Sequence, residues 1–366
     1  MRKHTAGLRL VDVAEQAGVS IATASRALSG AAGVSEALAE RVRAVARDLG
    51  YVANVHARSL ASGASPGVGL VVHEIGDPYF AEIASGVLEV AGTHGRMVQI
   101  CHTGRDPFTE VAQLRALVNA RVGIIVVAGS GHLDRDVQSR MKAEVQAFES
   151  AGGRVAVIGR HPHLGVDAVV PANVEGGRAI AGHLLGLGHR RIGIAAGSRM
   201  LATMADRLDG VSRALGEHGL TLDDLPVVEA EFTLDGGKEA ARRILDEHPD
   251  VTAILALNDD MAVGVLSVLG ERGVAVPGEV SVTGFDDVTV AGHLSPALTT
   301  VRLPMKDMGR QALELALLPR AARPRRRTAE QELMVRASTA RVGAIRQART
   351  SQPGLNRRST TAHDES

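Results

Sequence analysis

The sequence predicts an all-α helix-turn-helix headpiece joined to an α/β core of two doubly wound lobes with parallel sheets. The first observation is a pair of short helical patterns on either side of the tetrapeptide AGVS at residues 17–20. The second is a series of eight apolar runs between residues 68 and 285, separated by amphipathic helical patterns. The third is the length of 366 residues, which exceeds what a single hydrophobic core usually holds.

The headpiece begins with two helices that meet at a sharp turn. Gly18 allows the positive φ that such a turn needs, and Ser20 is a suitable N-cap for the second helix. On DNA, Ile21 and Ala22 would suit thymine methyl groups, and Arg26 would bind guanine through two hydrogen bonds. The alternative is a helical hairpin inside a core. The candidate DNA-binding residues of this segment are Ser20, Ile21, Ala22, Thr23, Ser25, Arg26 and Ser29.

A third helix is predicted from Ser35 to Leu49, with Gly50 as its C-terminal stop. An apolar stripe at helical spacing would close the headpiece core; it contains Leu38, Val42, Val45, Ala46 and Leu49. Three arginines, Arg41, Arg43 and Arg47, lie largely off that stripe. They either contact phosphate or form a solvated face.

The core is predicted from strands that alternate with helices, which is typical of parallel sheets covered on both faces. The runs are VGLVV (68–72), MVQIC (97–101), VGIIVVA (122–128), VAVI (155–158), IGIAA (192–196), VVEA (227–230), AILAL (253–257) and VSVTGF (280–285). We expect the first lobe at about 67–162 and 303–340 and the second at about 163–302. A further strand and a helix follow in residues 298–317, and the basic run 323–327 is expected to be a surface loop.

Composition excludes several classes of protein. The only cysteine, Cys101, rules out an internal disulfide and a cysteine-cluster metal site, and we expect it to be a buried thiol. No apolar run reaches the ~18–20 residues of a membrane span, and the N-terminus has no apolar segment of a signal peptide, so we expect a cytoplasmic protein. No Walker motif, no G-x-G-x-x-G after the first strand, no G-x-S-x-G elbow between a strand and a helix and no H-E-x-x-H pattern is present, so we expect neither an enzyme nor a cofactor.

Charge is distributed unevenly although the chain as a whole is neutral. Residues 1–63 carry eight Lys or Arg against five Asp or Glu, and residues 320–366 carry eleven against four. The middle of the chain is therefore acidic, with a net charge near −10. A basic head on an acidic body is typical of a protein that binds a polyanion with one end.

Three stretches resemble the DNA-binding headpiece of the lactose-repressor (LacI/GalR) family of bacterial transcription regulators. They are VDVAEQAGVSIATASRALSG, VSEALAERVRAVARDLGYVAN and ARSLASG, and later motifs such as ELMVRAST (332–339) extend the resemblance to roughly residues 8–340. The resemblance implies lobes of the periplasmic-binding-protein type and a repressor that binds a near-palindromic operator as a homodimer, with a tetramer also open. It also implies a small-molecule effector, most simply a sugar, in a nucleoid-associated protein. The alternatives are a sugar-binding transport component and a doubly wound enzyme.

The resemblance also divides the chain and assigns residues. It implies a headpiece at 1–53, a hinge helix and linker at 54–66 and a core at 67–340. Residues 341–366 have no sustained periodicity and are rich in Arg, Ser, Thr and Gln, so we expect a disordered tail. In the hinge, Leu60 would wedge into the minor groove; the alternative is a plain linker. The further DNA-binding residues implied there are Asn54, Ala57, Arg58 and Leu60.

Effector-binding residues are expected at the C-terminal ends of the strands, where open α/β sheets bind ligands. Many members of the family have an aspartate where this chain has Gly159. Each candidate has a structural alternative; for example, Arg207 would form a salt bridge and Asn258 would brace a strand end. The candidates implied by the resemblance are Asp77, Tyr79, Arg160, Arg207, Phe232, Asn258 and Asp286.

Overall fold

The computed structural model describes residues 8–29, 32–51 and 67–342 and divides the chain into two compact units at Pro66–Gly67. The predicted hinge residues Asn54, Ala57, Arg58 and Leu60 lie outside the described residues, as does the predicted tail beyond Val342. No helix in the described part of the chain is long and apolar enough to cross a membrane.

Three helices lie in the described residues of the headpiece: α1 (Leu10–Ala17), α2 (Ile21–Ser29) and α3 (Glu36–Leu49). Their shared core is made of small apolar side chains such as Val13, Ala24 and Val42. Helix α1 ends at Gly18, whose φ of 66° lets the chain turn sharply into α2. The predicted helix-turn-helix is therefore present.

The first lobe is built on a six-stranded parallel sheet. Its strands, in spatial order, are β11 (Arg326–Ala329), β5 (Asp167–Pro171), β4 (Arg154–Ile158), β3 (Ile124–Ala128), β1 (Val68–Val72) and β2 (Val98–His102). It is covered by α4 (Pro78–Thr93), α5 (Pro107–Asn119), α6 (Arg135–Ser150) and α11 (Met305–Leu317). Every residue of β1 and β3 is buried, because parallel sheets carry helices on both faces.

The second lobe is built on a four-stranded parallel sheet. Its strands, in spatial order, are β7 (Val227–Glu229), β6 (Ile192–Ala196), β8 (Ala253–Ala256) and β9 (Ser281–Thr283). Its helices are α7 (Asn173–Gly186), α8 (Ala202–Gly216), α9 (Leu234–Glu247) and α10 (Asp259–Glu271). Two short strands, β10 (Thr300–Arg302) and β12 (Glu332–Met334), form a separate antiparallel sheet of their own.

Three expectations about the core need correction. The first crossing between lobes follows Pro171 and not residue 162, because β5 pairs with β4 in the first sheet. The basic run 323–327 is not wholly a loop, since its last two residues begin β11 at the edge of that sheet. The chain also returns to the second lobe before residue 340, where the Val282 amide donates to the Ser338 carbonyl oxygen. Short edge strands with polar residues carry too weak a pattern to be found in sequence.

Helices α7 and α8 pack backbone against backbone at Gly177 and Gly210. A Cβ atom at Gly177 would lie 2.1 Å from the carbonyl oxygen of Arg207, and one at Gly210 would lie 2.0 Å from the carbonyl oxygen of Val174. Only glycine allows this approach. It fixes the position of Arg207, one of the predicted effector-binding residues.

A candidate DNA interface and a candidate ligand cleft

Helix α2 of the headpiece has an N-cap residue and one solvent-accessible side. The Thr23 amide donates to the Ser20 hydroxyl at 3.1 Å, so Ser20 is the predicted N-cap. Ala24 and Ala27 are buried, whereas the side chain of Ile21 is 52% exposed. Ala22, Arg26 and Ser29 are exposed and Thr23 and Ser25 are half-buried, so the candidate residues follow one accessible side of α2.

The arginines of α3 are engaged within the headpiece. Arg43 and Arg47 both pair with Glu40, and these hydrogen bonds lower the pKa of the Glu40 carboxyl. Arg41 donates to the carbonyl oxygen of Ala17 at 3.2 Å, at the C-terminus of α1. These contacts favour the solvated-face interpretation for Arg43 and Arg47 and a structural role for Arg41.

A cleft lies between the two lobes at the C-terminal ends of their strands. The first lobe contributes His73, Asp77, Tyr79, Arg105, Ser130 and Gly159 to its lining. The second lobe contributes Leu201, Thr203, Met204, Arg207, Phe232 and Asp286. Five of the seven predicted effector-binding residues therefore line one cavity, which combines apolar walls with convergent polar groups as small-molecule sites do.

Arg207 is the centre of a buried network in the second lobe. Its side chain is 2% exposed and donates to Asn173 Oδ1 (3.0 Å), to the Leu257 carbonyl oxygen (2.5 Å) and to Asp286 Oδ1 (2.5 Å). Its guanidinium also lies 3.8 Å from the ring centroid of Phe285. The salt bridge named as its structural alternative is thus present in the cavity wall itself.

Asp286 occupies a strained position in that network. Its φ of 111° is rare for a residue with a side chain, and its amide donates to the Val301 carbonyl oxygen at 2.8 Å. Burial raises the pKa of its carboxyl to about 7, against the opposing effect of Arg207.

Asp77 and Arg105 form the matching pair in the first lobe. Asp77 Oδ1 accepts from the Tyr79 amide at 2.9 Å and caps α4, and Asp77 Oδ2 accepts from Arg105 at 3.2 Å. Burial raises the pKa of Asp77. The Arg105 guanidinium lies 5.5 Å from the ring centroid of Phe232, which Arg207 approaches to 5.9 Å, so two arginines from different lobes flank one aromatic ring.

An aromatic wall closes the first-lobe side of the cavity. The rings of Tyr79 and Phe80 meet edge to face at 5.1 Å, and His73 lies 5.7 Å from Phe80. Burial, helped by the charge of Arg105, lowers the pKa of His73 to about 3, so this imidazole is neutral. Burial also raises the pKa of the Tyr79 hydroxyl.

Arg160 and Asn258 are not part of the cavity lining. Arg160 makes a bidentate ion pair with Asp206 of the second lobe, at 2.7–3.0 Å. Asn258 is buried and caps α10 by accepting from the Met261 amide at 2.9 Å, which is a structural role other than the bracing of a strand end.

The backbone of this fold explains why a glycine occupies position 159. Its φ is 109°, and a Cβ atom at this position would lie 2.5 Å from the carbonyl oxygen of Gly129. The ends of β3 and β4 therefore approach too closely for an aspartate. The cavity therefore lacks a carboxylate at position 159 because the backbone leaves no room for a side chain there.

A backbone seam joins the lobes beside the cavity. The Leu133 amide donates to the Met200 carbonyl oxygen at 2.7 Å, and the Ala202 amide donates to the Gly131 carbonyl oxygen at 2.9 Å. The Thr203 amide adds a bond to the Ser130 hydroxyl at 2.7 Å. The two lobes are therefore closed against each other along this edge.

Sequence analysis missed Arg105, Ser130 and Thr203. Arg105 follows the end of β2 by three residues, so the rule that ligands bind at C-terminal strand ends pointed to it. Ser130 follows β3 in the same way. Thr203 lies in the first turn of a helix and had no comparable signal.

The expected thiol position was also inaccurate. Cys101 lies on the edge strand β2 and is half-buried, although burial still raises its pKa. A strand at the edge of a sheet has a neighbouring strand on one side only, so it is more exposed than a central strand. An apolar run alone does not show which of these positions a strand occupies.

A helix-turn-helix headpiece and a two-lobed core with a polar cleft together define a DNA-binding transcriptional regulator. The family model described as bacterial regulatory proteins, lacI family, matches residues 9–54. The model described as periplasmic binding protein-like domain matches residues 181–339.

Full-length relatives agree with both matches. The HTH-type transcriptional regulator DegA of Bacillus subtilis (strain 168) is 33% identical over 336 residues, which cover 90% of this chain and 97% of DegA. GalR of Escherichia coli (strain K12) is 34% identical over 313 residues, 86% of this chain and 89% of GalR. A solved complex of the regulator CelR with cellobiose has a TM-score of 0.67 and 32% identity, and covers 91% of this chain and all of that one. The chain belongs to the lacI family of bacterial transcriptional regulators.

Proposed function

We propose that this regulator is a repressor whose operator affinity is controlled by a small polar effector, a sugar or sugar derivative, bound between the lobes. The observation that supports this most is the cleft in which the pairs Asp77–Arg105 and Arg207–Asp286 flank the ring of Phe232. Carboxylates and arginines supply acceptors and donors for hydroxyl groups, and an aromatic ring packs on an apolar ligand face. The CelR structure, with its bound cellobiose, supports a sugar.

The proposed effector contacts are five of the candidates, with Arg160 and Asn258 acting indirectly. Asp77, Tyr79, Arg207, Phe232 and Asp286 line the cavity. Arg160 holds the lobes together through Asp206, and Asn258 fixes the start of α10. An effector changes the equilibrium between two states of the core only by its different affinity for them. These contacts between the lobes therefore couple effector binding to the state of the core.

On the DNA side, we propose that Ile21, Ala22 and Arg26 contact bases and that Ser20, Thr23, Ser25 and Ser29 contact bases or the backbone. The accessible side of α2 supports this assignment. The assignments of Asn54, Ala57, Arg58 and Leu60 to a hinge rest on the resemblance of ARSLASG alone. A single helix-turn-helix contacts few base pairs, so a near-palindromic site and a dimer are expected.

The proposed dimer surface of the core is the edge of the first lobe at β2 and α4. Met97, Leu88 and Ile100 expose 72%, 47% and 39% of their surface there. Helix α11 uses its apolar side against its own sheet; Met308 and Leu313 are fully buried. Light scattering of the full chain would separate a dimer from a tetramer, and a regulator of this kind would be associated with the nucleoid in the cytoplasm.

The test combines two measurements on the full chain. A pool of random duplexes selected on the protein gives the operator, and a thermal-shift screen of sugars, nucleosides and sugar phosphates gives the effector. An effector at a hundredfold over its Kd stabilises the native state by about 2.7 kcal/mol. The same compound must change operator affinity, and Phe232→Ala must weaken its binding. A ligand that binds without any change in operator affinity would refute the proposed control.

A further inference from the structure

A second cavity lies inside the first lobe, separate from the cleft. It is bounded by α5, α6 and the loops that follow β3 and β4. Its polar lining residues are Glu110, His132, Gln138 and His161, and its apolar lining includes Met141 and Leu164. None of these residues belongs to the cleft lining.

Glu110 is the unusual member of this cavity. Glu110 is buried, with 8% of its surface exposed, and its Oε1 atom has no hydrogen-bond partner among the residues that the structure describes. Burial raises the pKa of the Glu110 carboxyl to about 7. A buried carboxyl oxygen without a donor destabilises a protein, so this oxygen presents an unmet acceptor to a donor that enters the cavity.

The other polar groups present mainly acceptors. The Gln138 side-chain amide already donates to the His132 carbonyl oxygen at 2.9 Å, which leaves its Oε1 as an acceptor. His161 Nε2 lies 2.9 Å from the Gly129 carbonyl oxygen and must carry the proton of a neutral ring, because burial lowers the pKa of His161 to about 4. Its Nδ1 is then an acceptor. His132 Nδ1 accepts from the Asp134 amide at 3.1 Å, so its Nε2 carries the proton and is a donor. Within the described chain the lining therefore offers three acceptors, one of them a carboxylate, and one side-chain donor.

We propose that this cavity binds a small cation that donates hydrogen bonds, either ammonium or the –NH3⁺ group of a primary amine. Such a cation supplies the missing donor to Glu110 and shares its remaining N–H groups with Gln138 and His161. A metal ion fits less well, because no group of three or more His, Cys, Asp or Glu arranged to hold one is found in the described residues.

The site adjoins the seam between the lobes. His132 lines the cavity and lies between Gly131 and Leu133, whose backbone bonds join the first lobe to Ala202 and Met200. An occupant in contact with His132 therefore restrains the segment on which the two lobes meet. Amide hydrogen exchange at residues 131–133 should slow when the cation is bound.

The test uses the full chain at pH 8, where Glu110 is largely charged. Melting temperature is measured in ammonium, methylammonium, tetramethylammonium and sodium chloride at equal ionic strength. Ammonium should raise the Tm above its value in sodium, and tetramethylammonium, which has no N–H donor, should not. A shift with methylammonium as well would indicate the amine group of a larger molecule, and a shift with ammonium alone would indicate the free ion.

Glu110→Gln keeps the size of the side chain and removes its charge, so the apparent affinity for ammonium should fall roughly tenfold or more. Glu144→Gln, on α6 but paired with Arg115 at the surface, is the matched control and should keep the shift. Equal shifts in all four salts, or an unchanged shift in Glu110→Gln, would overturn the proposal. If that variant does not fold, nitrogen-15 NMR of labelled ammonium with the wild type decides: a bound signal with slowed proton exchange supports the site, and its absence overturns it.

Discussion

The main candidate functional side chains of the headpiece are exposed, whereas those of the cleft are buried and bonded to each other. On α2, Ile21 is 52% exposed and Arg26 is exposed, so the candidate DNA contacts already face outward. In the cleft, Arg207 and Asp286 are 2% and 4% exposed and are bonded to each other. The proposed DNA contacts therefore form a surface in advance, whereas an effector bound at the proposed site would enter a network whose members already have partners.

This difference suits a chain that recognises DNA with one unit and responds to an effector with the other. A surface formed in advance loses little conformational entropy on binding and keeps its specificity in both states of the regulator. A network that has to exchange partners makes the two states of the core unequal in their affinity for the effector. Changes in the cleft should therefore alter stability strongly, and changes on α2 should alter DNA binding with little effect on stability.

The largest expected effect is in the buried network. Asp286→Ala leaves the Arg207 guanidinium without its carboxylate in the core, which should cost about 3–5 kcal/mol of unfolding free energy. Asp286→Asn keeps an oxygen acceptor and should cost clearly less. Urea unfolding of both variants measures this. Equal and small losses in the two variants would show that the pair is not a structural element and would weaken the contrast with α2.

The next effect concerns pH. His73 has a folded pKa of about 3, below the ordinary value of 6.5, so between these values the unfolded chain binds a proton that the folded chain does not. Stability should thus fall as the pH drops from 6.5 towards 4, by up to about 1.4 kcal/mol per pH unit from this residue. His73→Gln should flatten the profile in that window. An unchanged slope in the variant would mean that His73 does not titrate as its burial requires.

A surface residue of α2 should behave differently. Arg26→Ala should cost about 1–3 kcal/mol at the selected operator if Arg26 contacts a base, with a smaller loss on random DNA. Its unfolding free energy should stay within about 0.5 kcal/mol of the wild type. Fluorescence anisotropy with both duplexes measures the binding. Arg43→Ala, in which the arginine is paired on α3, is the control and should leave the preference for the operator intact.

Sequence patterns predicted the headpiece and the lobes well because these depend on local signals. Gly18, Ser20 and the buried runs of β1 and β3 act within a few residues of chain. The edge strand β11 and the true crossing after Pro171 were missed because they depend on pairing with distant strands. In the same way, the sequence indicated Arg160 and Asp286 as one set, although only the fold decides that Arg160 bonds to Asp206 and Asp286 to Arg207.

The smallest expected effect lies at the edge of the cleft, in the pair of Arg160 and Asp206. The two side chains are 34% and 17% exposed, so solvent screens their attraction and Asp206→Asn should change the unfolding free energy by less than about 1 kcal/mol. Because the pair joins the two lobes, its loss should instead favour their separation. Small-angle scattering should show a larger radius of gyration for Asp206→Asn than for the wild type, and the effector Kd should change by a few fold. Arg178→Gln, which removes an exposed pair with Glu217 inside the second lobe, is the control and should change neither quantity. An Asp206→Asn variant that is markedly unstable but unchanged in its dimensions would place this pair with the buried network and not with the contacts that move.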